Sequence, residues 1–97
     1  MKLMIMTPGK AVVDAEVSSV TLPAALGRMT ALQGHDTMLA LLNPGNIHFV
    51  KQGDRGGAVR EDYDIGSGFA EVIHDMVTVC VSEAAPAAAA FEKGRKS

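Results

Sequence analysis

Residues 76–82, MVTVCVS, show the clearest strand pattern in this sequence. Val77, Val79 and Val81 alternate with Thr78 and Cys80, so every second side chain is a β-branched apolar residue. Successive side chains of a strand point to opposite faces, and β-branched residues pack well on a pleated surface. The segment is therefore predicted to be a strand whose valines face a core.

Three earlier segments have a similar apolar or alternating pattern, and they cover residues 3–7, 16–22 and 46–51. Val20 and Leu22 share one face of the second segment, and Ile47 and Phe49 share one face of the third. Turn-forming residues recur about every 8–12 positions between such segments, which is typical of a β-sandwich or barrel. No helical pattern of any length precedes residue 84. We therefore predict an all-β fold.

Glycine and proline mark the predicted turns. Residues 43–46, NPGN, fit a type II turn in which Pro44 fixes φ and Gly45 supplies a positive φ. Gly66 and Gly68 interrupt an otherwise strand-like stretch, where they predict a bulge or a sharp bend. Two further chain reversals are predicted, at residues 53–57 and 74–75.

Size and charge exclude several classes of protein. The 97 residues allow one domain, and 9 basic against 11 acidic residues give a formal charge of −2, without the clustered positive face of a nucleic-acid-binding protein. Cys80 is the single cysteine, so an intrachain disulfide cannot form. The apolar run at residues 3–6 is shorter than the roughly 7–15 residues of a signal peptide and the roughly 20 of a spanning helix. We expect a soluble protein from a reducing compartment, with no membrane insertion.

The C-terminal residues differ in composition from the rest of the chain. We expect residues 1–83 to form the β domain and residues 84–97 to form an alanine-rich tail. The tail has high helix propensity, with Pro86 and Gly94 suited to the two ends of a helix. Such a short helix is marginal in water, so a frayed or disordered tail is favoured over a docked helix unless Phe91 occupies a pocket.

No catalytic, cofactor-binding or metal-binding constellation is predicted. The histidines, at positions 35, 48 and 74, have neither the close spacing of two ligands on one strand nor that of two ligands on a helix. Ser67 lies between glycines but lacks a strand-to-helix elbow and a credible base. No glycine-rich stretch has the spacing of a phosphate-binding loop. We therefore expect no enzymatic activity from this chain by itself.

The remaining candidate site is a pair of loops with partly apolar edges. The candidate interface residues are Leu26, Gly27, Arg28, Met29, Gly34 and His35. Leu26, Arg28 and Met29 would make the first loop adhesive, whereas His35 could either fix its own loop by a hydrogen bond or contact a partner. A domain with a partly apolar loop edge and no catalytic group is better interpreted as a docking module.

The order of these motifs resembles the amino-terminal domain of the epsilon subunit of F-type ATP synthases, called delta in mitochondria. The matching segments are SVTLP at 19–23, Gly27, Leu32, Gly34 and His35, Leu39, Leu42, and Pro44 with Gly45. Further segments are FVKQG at 49–53, YDIGSGFAEV at 63–72 and VTV at 77–79. The resemblance covers residues 1 to about 83 and rests on the order and spacing of these segments.

The resemblance implies a two-sheet β-sandwich of about ten strands in the central stalk of an ATP synthase. It implies binding to the gamma subunit and to the c-ring of the membrane sector, and indirect contact with the alpha/beta hexamer. Such a subunit would be non-catalytic and peripheral, at the cytoplasmic face of a bacterial membrane. Relatives continue into a helical hairpin that inhibits ATP hydrolysis, so we expect coupling without that inhibition here.

Several positions depart from the family pattern. Arg28 stands where relatives usually carry an acidic residue, Thr30 replaces a glycine, and Gln33 and Thr37 replace prolines. We therefore expect altered charge in the loop that faces the ring. An unrelated β-sandwich binding module remains the alternative, although three phenylalanines and one tyrosine equip it poorly to bind carbohydrate. The sequence leaves open whether the coupling ion is the proton or sodium.

Overall fold

The computed structural model describes residues 1–24, 27–32, 37–53 and 56–87, with the backbone alone for residues 27–32. These residues form nine strands, against the ten or so expected, and no helix lies among residues 1–86 of the described part. The all-β prediction is confirmed. The strands are β1 Lys2–Thr7, β2 Lys10–Ala24, β3 Gly27–Leu32, β4 Met38–Leu42, β5 Gly45–Gln52, β6 Ala58–Ile65, β7 Gly68–Ile73, β8 Met76–Val81 and β9 Ala84–Pro86.

Strand β2 links the two layers of the sandwich because it is 15 residues long and changes partners midway. Its first half pairs with β1, which continues through β8 and β7 to β4. Its second half pairs with β3 and with β5, which continues through β6 to β9. All of these pairings are antiparallel except β1 with β8. One strand thus lets a single hydrogen-bonded sheet fold over on itself.

A bulge in β2 keeps both of its halves facing the core. Val13 and Val17 are buried in the first half, and Val20 and Leu22 are buried in the second. Strict alternation would turn Val20 and Leu22 outward, because Val20 follows Val17 by three positions, which is an odd number. The register between β2 and β5 shifts between Val17 and Ser19, which corrects the offset.

The core lies between the layers and contains the apolar faces predicted from the sequence. Val20, Leu22, Ile47, Phe49, Val77, Val79 and Val81 are all buried. Phe49 is the largest fully buried side chain, and its ring stacks on Tyr63 with 5.9 Å between centroids. Close-packed interiors of this kind resist deformation.

The predicted type II turn at Gly45 is wrong. Gly45 does not have a positive φ; it is the first residue of β5 and pairs with Ile65. A Cβ atom at this position would lie 3.2 Å from Pro23 Cβ, so the glycine permits close packing against β2. Pro44 lies in the two-residue connection between β4 and β5, and Asn43 donates its backbone N–H to Pro23 O there at 2.9 Å.

Gly66 and Gly68 lie where the chain passes from one layer to the other. Strand β6 pairs with β5 and β9, whereas β7 pairs with β4 and β8. A Cβ atom on Gly68 would collide with the carbonyl oxygen of Cys80, and one on Gly66 would collide with Ser82 Oγ. The two glycines therefore mark a sharp change of chain direction between β6 and β7, at a point where strands approach closely.

The sheet continues past the expected domain boundary at residue 83. Ala84–Pro86 forms β9, which pairs with β6 so that Tyr63 lies opposite Pro86. The first residues of the alanine-rich tail thus adopt strand structure. Residues 88–97, with Phe91 and Gly94, lie outside the described residues.

Candidate docking face

The outer surface of the layer formed by β4, β7, β8 and β1 carries a group of apolar side chains, which we call the apolar face. Its exposed apolar members come from three of the strands and are Leu39, Leu41, Phe69, Ile73 and Met76. Its half-buried apolar members are Met4, Met6 and Cys80, and Glu71 and Thr78 lie among these side chains on the same surface. All of these side chains point away from the core, opposite to the buried residues of the same strands.

The strand register brings these residues into rows. Leu41 lies opposite Phe69, Phe69 lies opposite Cys80, and Cys80 lies opposite Met6. Directly opposed residues have Cβ atoms about 4.5–5.5 Å apart, so one apolar row crosses four strands. With strands about 4.8 Å apart and a rise of about 3.4 Å per residue, the face spans about 14 Å in each direction between its outermost Cα atoms.

Several apolar side chains of this face are strongly exposed to solvent. Leu39 and Leu41 are 68% and 69% exposed, and Phe69 is 43% exposed. Scattered apolar residues on a surface need no explanation, but a contiguous patch of several hundred Å² commonly marks an interaction site. The arrangement can bury apolar surface against another macromolecule.

One charged residue lies within the apolar face. Glu71 is exposed between Leu39 on β4 and Thr78 on β8, with Phe69 and Ile73 two residues away along its own strand. The charges at the β1 rim are paired with one another. Lys2 Nζ lies 3.3 Å from Asp14 Oδ1, and the Met1 amino group donates to Glu16 Oε2 at 2.6 Å.

The outer surface of the other layer is polar. Strands β5 and β6 direct His48, Arg60, Asp62 and Asp64 outward there. Arg60 Nε donates to Asp62 Oδ1 at 2.9 Å, and this hydrogen bond holds the pKa of Asp62 below its usual range. The two broad surfaces of the sandwich therefore differ in chemistry.

The structure describes three of the six predicted interface residues, and these three lie outside the apolar face. Gly27, Arg28 and Met29 belong to β3, opposite Ala24, Pro23 and Leu22 of β2. Leu26, Gly34 and His35 lie outside the described residues. The interface prediction for these six residues stays a prediction.

The apolar face was missed in the sequence analysis, although a signal for it was present. In FAEVI, residues 69–73, Phe69 and Ile73 alternate with Ala70 and Val72, so both faces of the strand carry apolar residues. Leu39, Leu41 and Leu42 give β4, its neighbour in the sheet, apolar residues on both faces as well. Apolar residues on both faces are typical of strands covered on both sides, which indicates a partner for the outer side.

The described residues offer little to a small ligand. No group of three or more His, Cys, Asp or Glu side chains within them could hold a metal ion. A shallow groove of about 470 Å³ runs along one end of the apolar face, between Pro8, Phe69 and Cys80. The described part of the chain contains no helix that is long and apolar enough to cross a membrane.

Residues 1–87 match the family model described as "ATP synthase, Delta/Epsilon chain, beta-sandwich domain". The chain is 36% identical over 83 residues to the ATP synthase epsilon chain of Herpetosiphon aurantiacus and 37% identical over 86 residues to that of a Hydrogenobaculum species. These alignments cover 86% and 89% of this chain but 57% and 59% of the relatives. The chain thus spans less than two thirds of the relatives' length.

A solved structure supports the same relationship. In a cryo-EM structure of the Euglena gracilis mitochondrial ATP synthase, containing OSCP, F1 and the c-ring, one chain superposes on this fold with a TM-score of 0.75. The two chains are 26% identical, and the match covers 97% of this chain and 62% of the other.

Proposed function

Since this chain belongs to the ATP synthase delta/epsilon family, in which it corresponds to the β-sandwich domain, we propose that it is a non-catalytic rotor subunit that couples gamma to the c-ring. Its partners would be the gamma subunit and the c-ring directly, and the alpha/beta hexamer indirectly. The subunit would lie at the cytoplasmic face of a bacterial membrane as a peripheral part of the complex. Family membership does not favour the alternative of an unrelated binding module.

The observation that carries this proposal is the apolar face on a rigid sandwich. Torque can pass through a subunit only if it is stiff and is held at two places. The close-packed core provides the stiffness. The apolar face is suited to a lasting interface, since permanent interfaces are more apolar than transient ones. We assign this face to the gamma subunit.

The second attachment would be the β2–β3 hairpin together with the connection from β3 to β4. The first three residues of β3 in this hairpin are Gly27, Arg28 and Met29. Close to them in the sequence are Leu26, Gly34 and His35. We assign these six residues to the contact with the c-ring. This arrangement would give the subunit separate surfaces for gamma and for the ring.

A binding measurement with a gamma-containing F1 complex tests the assignment of the apolar face. Leu41→Asp places a charge in the proposed interface, and we expect the dissociation constant to rise at least about thirtyfold, because an apolar contact is lost and a charge is buried in its place. Val59→Asp is the matched control because Val59 is also an exposed apolar residue but lies on β6, outside the apolar face. Biolayer interferometry with the complex immobilised would give both constants. Equal binding by Leu41→Asp and the original chain would remove this face from the interface.

A further inference from the structure

We propose that Glu71 forms an ion pair with a lysine or arginine of the gamma subunit at the centre of the apolar face, and that this pair selects the partner. The inference rests on the proposed function, because it specifies the chemistry of the same interface. It requires the partner surface to combine apolar side chains with one basic side chain opposite Glu71.

Glu71 lies in the middle of the apolar face. The residue lies on β7, the second of the four strands across the face, with Leu39 on one side and Thr78 on the other. Phe69 and Ile73 flank it along the strand. A partner that covers these apolar neighbours must also remove the carboxylate from water. Glu71 is therefore at the core of the proposed interface and not at its rim.

Glu71 has no counter-charge close to it in the described part of the chain. Among the residues that the structure describes, no basic group lies within ion-pairing distance of Glu71. The nearest basic residue in the register is Lys2, next to Met76 on β8, and its ammonium group pairs with Asp14. Burying an ionised carboxylate without a counter-charge is strongly unfavourable. Since the described part of the chain supplies no such charge, we assign it to the partner.

The same carboxylate argues against a second copy of this chain as the occupant. A twofold dimer formed through the apolar face would place two Glu71 side chains close to the symmetry axis, because Glu71 lies near the middle of the face. Two like charges brought together in a desolvated interface repel each other. Glu71 thus disfavours self-association through a surface that would otherwise promote it, and it favours a partner of complementary charge.

Binding of Glu71 variants to the gamma-containing F1 complex tests this proposal. For Glu71→Gln, which keeps the shape and removes the charge, we expect the dissociation constant to rise at least about tenfold, mainly through faster dissociation. For Glu71→Lys we expect a rise of at least about a hundredfold, because two cations would then face each other. Asp64→Asn is the control, since Asp64 is exposed on the polar surface of β6, and its affinity should stay within about twofold.

A charge exchange with gamma identifies the partner residue. Each exposed lysine or arginine of gamma is changed to glutamate in turn, and one of these variants should bind Glu71→Lys more tightly than the original gamma does. The proposal is overturned if Glu71→Gln binds like the original chain while Leu41→Asp does not bind. It is also overturned if the original chain sediments as a dimer and the Leu41→Asp variant sediments as a monomer. If Leu41→Asp itself binds normally, the assignment of the face to gamma has failed.

Discussion

Gly68 lies where β7 and β8 approach each other too closely to admit a side chain. A Cβ atom there would collide with Cys80 O and would lie 2.8 Å from Val81 Cα, both of which are backbone atoms. We therefore expect Gly68→Ala to lower the free energy of unfolding by about 2–3 kcal/mol, because β7 and β8 would have to separate. Urea unfolding followed by circular dichroism would measure the change.

Gly57→Ala is the matched control for that experiment. A Cβ atom on Gly57 would meet nothing within 4 Å, and its φ is not positive. We expect its stability to stay within about 0.5 kcal/mol of the original or to rise slightly, because alanine restricts the unfolded chain. Equal stability of the Gly57 and Gly68 variants would contradict the close approach of the strands.

Asp62 gives the polar surface a pH dependence. The hydrogen bond from Arg60 lowers the pKa of Asp62, so the pair stabilises the fold above the usual aspartate pKa of about 3.9, and this contribution is lost as the pH falls through the lowered pKa. We expect Asp62→Asn to be less stable than the original at pH 7 by a small margin that disappears near pH 2. Urea midpoints at both pH values would show this, and a constant margin would contradict it.

Arg28 tests the assignment of the β2–β3 hairpin to the ring. The residue lies in β3 opposite Pro23, close to the end of the hairpin. If the hairpin contacts the c-ring, Arg28→Glu should reduce ATP-driven ion pumping in reconstituted vesicles while the circular dichroism spectrum stays unchanged. Equal pumping by both proteins would remove Arg28 from the interface.

At the scale of single elements, β8 shows how alternation separates two functions of one strand. Val79 is fully buried, whereas Thr78 is half-buried on the apolar face. We expect Val79→Ala to cost about 2 kcal/mol of unfolding free energy, since it removes buried methyl groups and leaves a cavity. Thr78→Ala should cost less than about 1 kcal/mol in the isolated chain. Guanidinium unfolding of both variants would test this, and similar losses would contradict the assigned faces.

The elements that the sequence predicted well are those whose pattern is local. Strands β5 and β8 alternate without interruption, so their buried faces could be assigned from Ile47, Phe49 and the valines. The full length of β2 could not, because its bulge reverses the alternation after Val17 and depends on pairing with a strand some 30 positions away. The turn predicted at Gly45 was also wrong, because Gly45 packs against Pro23, which is distant in the sequence.

The candidate site was harder to predict than the fold. Loops rich in glycine drew attention to Gly27 and Gly34, whereas the apolar face is assembled from four strands. Leu39, Phe69 and Met76 become neighbours only when β4, β7 and β8 pair. The local pattern indicates which strands are apolar on both sides, but it does not give the order of the strands, so the extent of the face is known only from the folded chain.

At the scale of the whole molecule, the sandwich has two broad surfaces with different chemistry. The apolar face lies on β1, β4, β7 and β8, and the polar surface lies on β5 and β6. A free domain does not require this asymmetry. A subunit that is held against a stalk on one side and exposed to water on the other side does require it. The rigid core between the surfaces would transmit force from one attachment to the other.

A single-molecule rotation assay tests the rotor assignment most directly. Asp64→Cys in a Cys80→Ser background would carry a probe on the polar surface, away from the apolar face. With the alpha/beta hexamer fixed to glass and ATP supplied, we expect the probe to rotate in the same direction and with the same steps as a probe on gamma. A probe that stays still in an assembled complex while gamma rotates would contradict the account.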